Sequence, residues 1–211
     1  MRIVVATNNA GKIAELQRLL PANVTLLTLG EMGLQSPEEN GETFVENALL
    51  KARHAAGGAD AAIADDSGIV VDALQGEPGI RSARCSGPGA TDESNNRELL
   101  RRLAGVPRAQ RGARFVSAAA FVTRDGEERV TEGSIRGIVL EHPRGSNGFG
   151  FDPLFEIHDS DAPAFAGRTM AELSIEEKNA ISHRGRAIRA LVVGLRAHGL
   201  LAHLAADEVQ E

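Results

Sequence analysis

Thr7-Asn8-Asn9-Ala10-Gly11-Lys12 follows a short apolar run and opens a helical pattern. At a strand-to-helix turn, backbone N–H groups and the positive helix end face an anion. Thr7, Asn8 and Asn9 add neutral donors, and Lys12 adds a point charge. A cation at a helix start opposes the dipole, and an unfavourable local choice of that kind points to function. The segment lacks the two spaced glycines of a Walker A loop. The bland alternative is an Asn- and Gly-containing turn that merely enters a helix.

Asp65-Asp66-Ser67-Gly68 directly follows the apolar run Ala61–Ala64. Neighbouring carboxylates repel unless a cation lies between or beside them. The end of a strand is where open α/β sheets place ligands. One carboxylate there can hold magnesium and also take a proton from water; the alternative is an Asp-rich turn capped by its own side chains. Glu38, Glu39 and Glu42 precede a helix and either suit its dipole or supply a second hard oxygen ligand, with Glu39 the candidate beside Asp66. Asn47 and Lys51 share one face of that helix. An inward Lys51 meets phosphate; an outward one is solvated.

Two later segments carry donors and flat surfaces. In Gly145-Ser146-Asn147-Gly148-Phe149-Gly150-Phe151-Asp152-Pro153 the glycines allow close backbone approach. Phe149 or Phe151 offers a face for a base, unless both are core plugs. Asp152 precedes a proline, which favours an extended backbone there, and it either accepts from a base edge or anchors the loop. In Lys178-Asn179-Ala180-Ile181-Ser182-His183-Arg184-Gly185 a Lys, a His and an Arg converge, or else cations stabilise a helix C-terminus. No Cys/His pair has zinc spacing, and no Gly-x-Ser-x-Gly elbow is present.

The elements that must position these groups read as mixed α/β in one domain spanning 1–211. Short strands are expected at Ile3–Ala6, Val24–Leu27 and Ala61–Ala64, with a separate apolar run at Ile69–Val71. Helices are expected over 12–20, over 42–56 with Gly57-Gly58 as the stop, and after a cap at Thr91 or Asp92. Strands follow at 113–123, Glu128–Glu132 and Ser134–Leu140, with Asp125-Gly126 as a hairpin turn. Residues 142–153 read as a loop. Thr169 to Glu172 and Ser174 to Glu177 both match the capping-box spacing, and the second should start a short helix holding Lys178. A last helix is expected from about Arg186 to His198. No linker composition divides the chain, although the hairpin-rich middle can form a second lobe.

Composition narrows the partners. The 211 residues carry a net charge of -6 and 3% aromatics, with no Trp or Tyr. Neither a basic groove nor a stacking platform for nucleic acid is expected. One cysteine, Cys85, cannot form an internal disulfide, which fits a reducing compartment. No run reaches the length of a membrane span, and the apolar start is too short for a signal-peptide core. No membrane partner is expected, and the cytoplasm is the default.

Six segments in order make the chain resemble the inosine triphosphate pyrophosphatase family, also called XTP/dITP or nonstandard purine NTP pyrophosphatases. They are Thr7–Lys12, Thr43–Ala48 with Lys51-Ala52, Ala64–Gly68, Pro78–Arg84, Gly148–Pro153 and Lys178–Gly185. The resemblance implies an elongated, two-lobed mixed-sheet fold with a central substrate cleft, and a homodimer. It also implies magnesium-dependent hydrolysis of ITP, dITP and XTP to the monophosphate and pyrophosphate, which removes them from the nucleotide pool. Carried over, Thr7, Asn8, Asn9, Ala10, Gly11 and Lys12 bind the triphosphate. Asp66 is the proton acceptor and a metal ligand, with Glu39 the second acid and Lys51 a further cation. Ser67, Phe149, Gly150, Phe151, Asp152, Lys178, His183 and Arg184 contact the nucleotide, the last two at the purine six-position oxygen. Phe151 replaces a larger Tyr or Trp common in the family, and Cys85 stands where an aromatic is common. Two rival readings are a related pyrophosphatase acting on pyrimidine or methylated nucleotides, and a nucleotide-binding regulator without turnover.

Overall fold

The computed structural model describes residues 2–7, 9–20 and 24–200, without the Ala10 side chain. Asn8, one of the expected phosphate donors, lies outside the described residues. In chain order the elements are β1 (Arg2–Val5), α1 (Ala10–Leu19), β2 (Thr25–Thr28), α2 (Phe44–Ala56), β3 (Ala61–Val71), α3 (Asp92–Arg102), β4 (Gly112–Thr123), β5 (Glu128–Val139), β6 (Phe155–Ile157), α4 (Ile175–Ile181) and α5 (His183–Ala197). The strands form one six-stranded sheet in the order β2-β1-β3-β4-β5-β6. β1 runs parallel to β2 and β3, while β6 is antiparallel to β5, so the sheet is mixed as the sequence suggests.

The chain folds as two compact units. Unit 1 comprises 1–66, 118–132 and 184–211; unit 2 comprises 67–117 and 133–183. Unit 1 has a core on each face of its sheet, because side chains alternate along a strand. Ile3, Val5, Ala61, Ile63, Ala119 and Phe121 pack with Leu16 of α1 and with Ile188, Leu191 and Leu195 of α5. The intervening Val4, Ala6, Ala62, Ala64, Ala118 and Ala120 pack with Ala48, Ala52 and Ala55 of α2. The alanine stripe on α2 gives this second layer small side chains on both sides. Unit 2 has its own core, in which Ile69, Leu99, Leu103, Phe115, Ile135, Phe151, Phe155 and Met170 meet.

Several expected boundaries are corrected. Ala61–Ala64 and Ile69–Val71 are not separate runs: β3 continues through Asp65-Asp66-Ser67-Gly68. The polar residues break the hydrophobic pattern but leave the backbone ladder intact. Likewise Glu128–Glu132 and Ser134–Leu140 are one strand, β5, through Gly133. The second strand lies one residue later than expected, at Thr25–Thr28. The last helix begins at His183 rather than near Arg186, so His183 and Arg184 occupy its first turn. Asp152 is the first residue of a 3-10 turn, not an extended residue, since Leu154 N–H closes onto the Phe151 carbonyl at 3.0 Å. Thr91, not Asp92, caps α3, and both capping boxes at Thr169 and Ser174 form as their spacing suggests.

Gly68 shows why the polar stretch of β3 carries a glycine. A Cβ there would strike the Gly79 carbonyl and the Ser82 hydroxyl. Ser82 Oγ accepts from Ile69 N–H at 2.9 Å and donates to the Gly79 carbonyl at 2.6 Å. The Pro78–Arg84 segment is thus bolted to β3 through the Ser82 hydroxyl. Gly68→Ala is expected to cost about 1–3 kcal/mol by overpacking; urea unfolding would measure it, and an unchanged midpoint would refute the contact.

Candidate active site

In unit 1 the charged groups gather just past the end of β1. β1 pairs with β3 as far as Val5 opposite Ile63, and Ala6 N–H still reaches the Ile63 carbonyl at 2.8 Å. Asp65 and Asp66 lie just beyond. The carboxyl-end argument therefore holds for β1, and not for β3, which runs on. Alternation along β3 sends the two carboxylates to opposite faces of the sheet. Asp65 follows Ile63 to the α1/α5 side, and Asp66 follows Ala64 to the α2 side. Each acid has its own cations, so their mutual repulsion is relieved face by face.

On the α1/α5 side, Lys12 Nζ lies 3.0 Å from Asp65 Oδ2. Arg184 donates from Nε to the same oxygen at 3.0 Å, and its Nη1 pairs with Glu15. This buried chain, Glu15–Arg184–Asp65–Lys12, explains the odd lysine at a helix start: its partner is a strand carboxylate. Burial pushes the Lys12 ammonium below the ordinary lysine pKa, against the pull of Asp65, and Arg184 and Lys51 add to the fall. Burial also works against the Arg184 charge, but Asp65 and Glu15 overcome it and raise its pKa. Asn9 caps α1, its Oδ1 accepting Lys12 N–H at 3.1 Å, while Thr7 Oγ1 accepts Asn9 N–H at 3.2 Å. The first turn contains no acid. It therefore keeps its positive end.

On the α2 side, Lys51 is inward and buried. Its Nζ lies 2.8 Å from Asp66 Oδ1 and 2.9 Å from Glu39 Oε1. Asn47, fully buried, donates from Nδ2 to Asp66 Oδ2 at 3.3 Å and accepts Gly41 N–H at 2.9 Å, which ties the Glu39 segment down. Burial lifts the Asp66 carboxyl above the ordinary aspartate value; Lys51 opposes this and Glu39 adds to it. Lys51 is itself raised: burial lowers it, but Asp66, Asp65 and Glu39 together outweigh burial. Glu39→Gln is therefore expected to lower the pKa of Asp66 in the metal-free protein, because a like charge is removed. Carbon NMR titration of the Asp66 carboxyl checks this, and an upward shift would contradict it.

Asp66 and Glu39 share one small cation, the Lys51 ammonium. Two hard carboxylates that close together fit one magnesium ion, which usually takes one or two carboxylates and completes its shell with phosphate oxygens and water. Among the described residues no group of three or more His, Cys, Asp or Glu is placed to hold a metal by itself.

Unit 2 holds a different set. Asp152 Oδ2 accepts from Lys178 Nζ at 2.6 Å and from Phe149 N–H at 2.8 Å. Of the two roles open to Asp152, the loop anchor is realised. Lys178 Nζ sits 4.5 Å from the centre of the Phe149 ring, a cation–π contact. Gly148 is left-handed, with φ of 77°, and a Cβ there would meet the Asp152 carboxylate. Phe151 is not available as a face for a base, because it is buried in the unit 2 core; Phe149 is only half-buried. The His183 ring stacks on Phe115 at 4.8 Å and 21°. Ser67 donates to Ser117 Oγ at 3.0 Å. Arg184 takes the carboxylates of Asp65 and Glu15, while Lys178 pairs with Asp152 and His183 stacks on Phe115. A cavity of about 450 Å³ elsewhere in unit 2 includes Arg108, Arg111, Arg144 and Glu156. Arg108 and Arg144 both pair with Glu156, and Arg111 is held by backbone carbonyls and faces Glu141, so the charges of this cavity are answered by their own neighbours.

Sequence reasoning missed Asp65's separate role, Glu15, Ser82 and Ser117, and it placed Asn47 on the Lys51 face without its partner Asp66. Only Asn47 carried a usable signal, its position one turn before Lys51 on the same face.

Residues 3–193 match the model of the Ham1 family. The chain belongs to the Ham1 family. This bears out the resemblance carried by the six segments. A dITP/XTP pyrophosphatase of Corynebacterium efficiens is 48% identical over 198 residues, covering 91% of this chain and 96% of that protein. One from Thermus thermophilus is 48% identical over 194 residues, covering 91% and 90%. Among solved structures, the Staphylococcus aureus Ham1 protein superposes with a TM-score of 0.81 at 38% identity, over 94% of this chain and all of that one. A nucleoside-triphosphatase / dITP/XTP pyrophosphatase from Mycobacterium abscessus gives a TM-score of 0.72 at 46% identity, over 91% and 99%. The Ham1 relatives thus share this mixed α/β fold over nearly its whole length.

Proposed function

We propose that the chain is a nucleoside-triphosphate pyrophosphatase that hydrolyses the deaminated purine nucleotides ITP, dITP and XTP to the monophosphate and pyrophosphate. The observation that carries the chemistry is the buried Asp66, lifted in pKa and joined to Glu39 through Lys51. Thr7, Asn9, the N–H groups of Ala10 and Gly11, Lys12 and Lys51 supply donors and positive charge for the triphosphate. Fixed donors of this kind act on the charge that grows at the α-phosphorus and its leaving group. Asp66 orients the attacking water and accepts its proton; a carboxylate whose pKa lies above the ordinary aspartate value is a stronger base than an ordinary aspartate. Asp66 and Glu39 would hold magnesium, which neutralises phosphate charge and makes bound water more acidic.

Phe149 offers a flat face for the base, with Lys178 and Asp152 shaping its loop. Donors from His183, Arg184 or backbone N–H groups favour the six-position oxygen of ITP and XTP. The amine of ATP would set donor against donor and leave buried groups unpaired, which discriminates strongly. A homodimer and a cytoplasmic location belong to the same proposal; light scattering tests the first. The second rests on the single cysteine and on the want, among the described residues, of any helix long and apolar enough to cross a membrane.

The test is pyrophosphate release from ITP, dITP, XTP, ATP, GTP and dTTP with magnesium. Faster turnover of the first three is expected. Equal rates on ITP and ATP would sink the specificity reading, and binding without release would favour a regulator.

A further inference from the structure

The loop that carries Phe149 and Asp152 is held at a second point that no part of the reaction uses. Helix α3 begins at Asp92, and Asp92 and Asn96 lie one turn apart on the same face. Asp92 Oδ2 accepts Gly150 N–H at 2.7 Å, and Asn96 Nδ2 donates to the Gly150 carbonyl at 2.9 Å. Both polar groups of Gly150, which lies between Phe149 and Phe151, are thus gripped by one helix face. Gly150 is left-handed, with φ of 61°. On one side of it Phe149 N–H is tied to Asp152; on the other Phe151 is sunk in the core. Asp152 and Lys178 hold the half-buried Phe149 from the other side, through its N–H and its ring.

Stability alone accounts poorly for Asn96. Its Oδ1 is buried and makes no hydrogen bond to the described residues. A buried acceptor left in that state works against folding. The bond that its other half makes, to the Gly150 carbonyl, is the contact that gives this asparagine a use.

We infer that Asp92 and Asn96 are positioning residues for nucleotide recognition: they fix the Gly150 peptide so that Phe149 meets the base at a set place. This rests on the reading that the unit 2 loop takes the base. The pair touches neither phosphate nor metal ligands, so it acts on base-dependent binding and selectivity. Loose placement of a binding group costs affinity that rigid placement conserves.

The test compares wild type, Asp92→Ala, Asp92→Asn, Asn96→Leu and Phe149→Ala. The readouts are KM for ITP, the ITP-to-ATP ratio of kcat/KM, the inhibition constant of inorganic tripolyphosphate, which has no base, and the thermal midpoint. Asp92→Ala and Asn96→Leu are expected to raise KM for ITP about tenfold and lower the selectivity ratio, while tripolyphosphate inhibition shifts less than about twofold. Asp92→Asn, which keeps an acceptor oxygen, should restore most of the loss. Asn96→Leu should show its KM effect without a lower thermal midpoint, since it also removes the buried oxygen. A KM effect that appears only with a fallen midpoint, or equal shifts for ITP and tripolyphosphate, would overturn the inference. If Phe149→Ala leaves KM for ITP unchanged, the base reading of the loop fails instead; if Phe149→Ala raises it while the α3 variants do not, only the positioning role fails.

Discussion

Asp66→Asn is expected to reduce turnover of ITP by a factor of at least about 10²–10⁴, the usual cost of losing a general base. The loss should sit near the upper end, because the same side chain is a proposed metal ligand. The substitution is close to isosteric, and an Asn oxygen still accepts from Lys51, which keeps Glu39 as its carboxylate partner. Stability should move in the other direction from activity, or hardly at all. An acid whose folded pKa is raised above its unfolded value is a liability wherever it is ionised, and Asp66 is raised chiefly by burial. Asn removes that charge at neutral pH. Steady-state kinetics beside urea unfolding separates the two effects. Near-normal turnover in a folded variant would remove Asp66 from the reaction.

Arg184→Met is expected to destabilise the protein by about 3–5 kcal/mol, the range for removing one partner of a buried ion pair. Arg184 is 2% exposed and answers two buried acids, Asp65 and Glu15. Methionine fills similar volume, so the loss reports charge more than packing. Lys12 would remain beside Asp65, but Glu15 would lose its ion-pair partner. The double variant Glu15→Gln/Arg184→Met should therefore recover part of the loss. Urea unfolding of both variants decides this. A single-variant loss below about 1 kcal/mol would mean that the network does not hold unit 1 together. The Glu15–Arg184–Asp65 chain also sets where the Lys12 ammonium lies, so Arg184→Met should lower kcat/KM in whatever fraction folds.

The catalytic candidates were legible in the sequence because their chemistry conflicts with their setting. Lys12 opposes a helix dipole, and Asp65-Asp66 interrupts an apolar strand. What each is paired with was not legible. The alternation that sends Asp65 and Asp66 to opposite faces requires knowing that β3 continues through them, and their polarity hides that continuity. Gly133 hid the continuity of β5 in the same way. The capping boxes at Thr169 and Ser174 were readable because they are local, satisfied within four residues of chain. Glu15 and Asn96 were not, because their partners lie far along the chain. Phe149 and Phe151 look alike in sequence, and only packing separates the half-buried ring from the core one.

In the proposed reaction the bond broken lies between the α- and β-phosphates. Phosphorus NMR of ITP with the wild-type protein and magnesium tests it directly. Inosine monophosphate and pyrophosphate should appear in equal amounts, with no diphosphate intermediate. Inosine diphosphate and inorganic phosphate as the first products would contradict it.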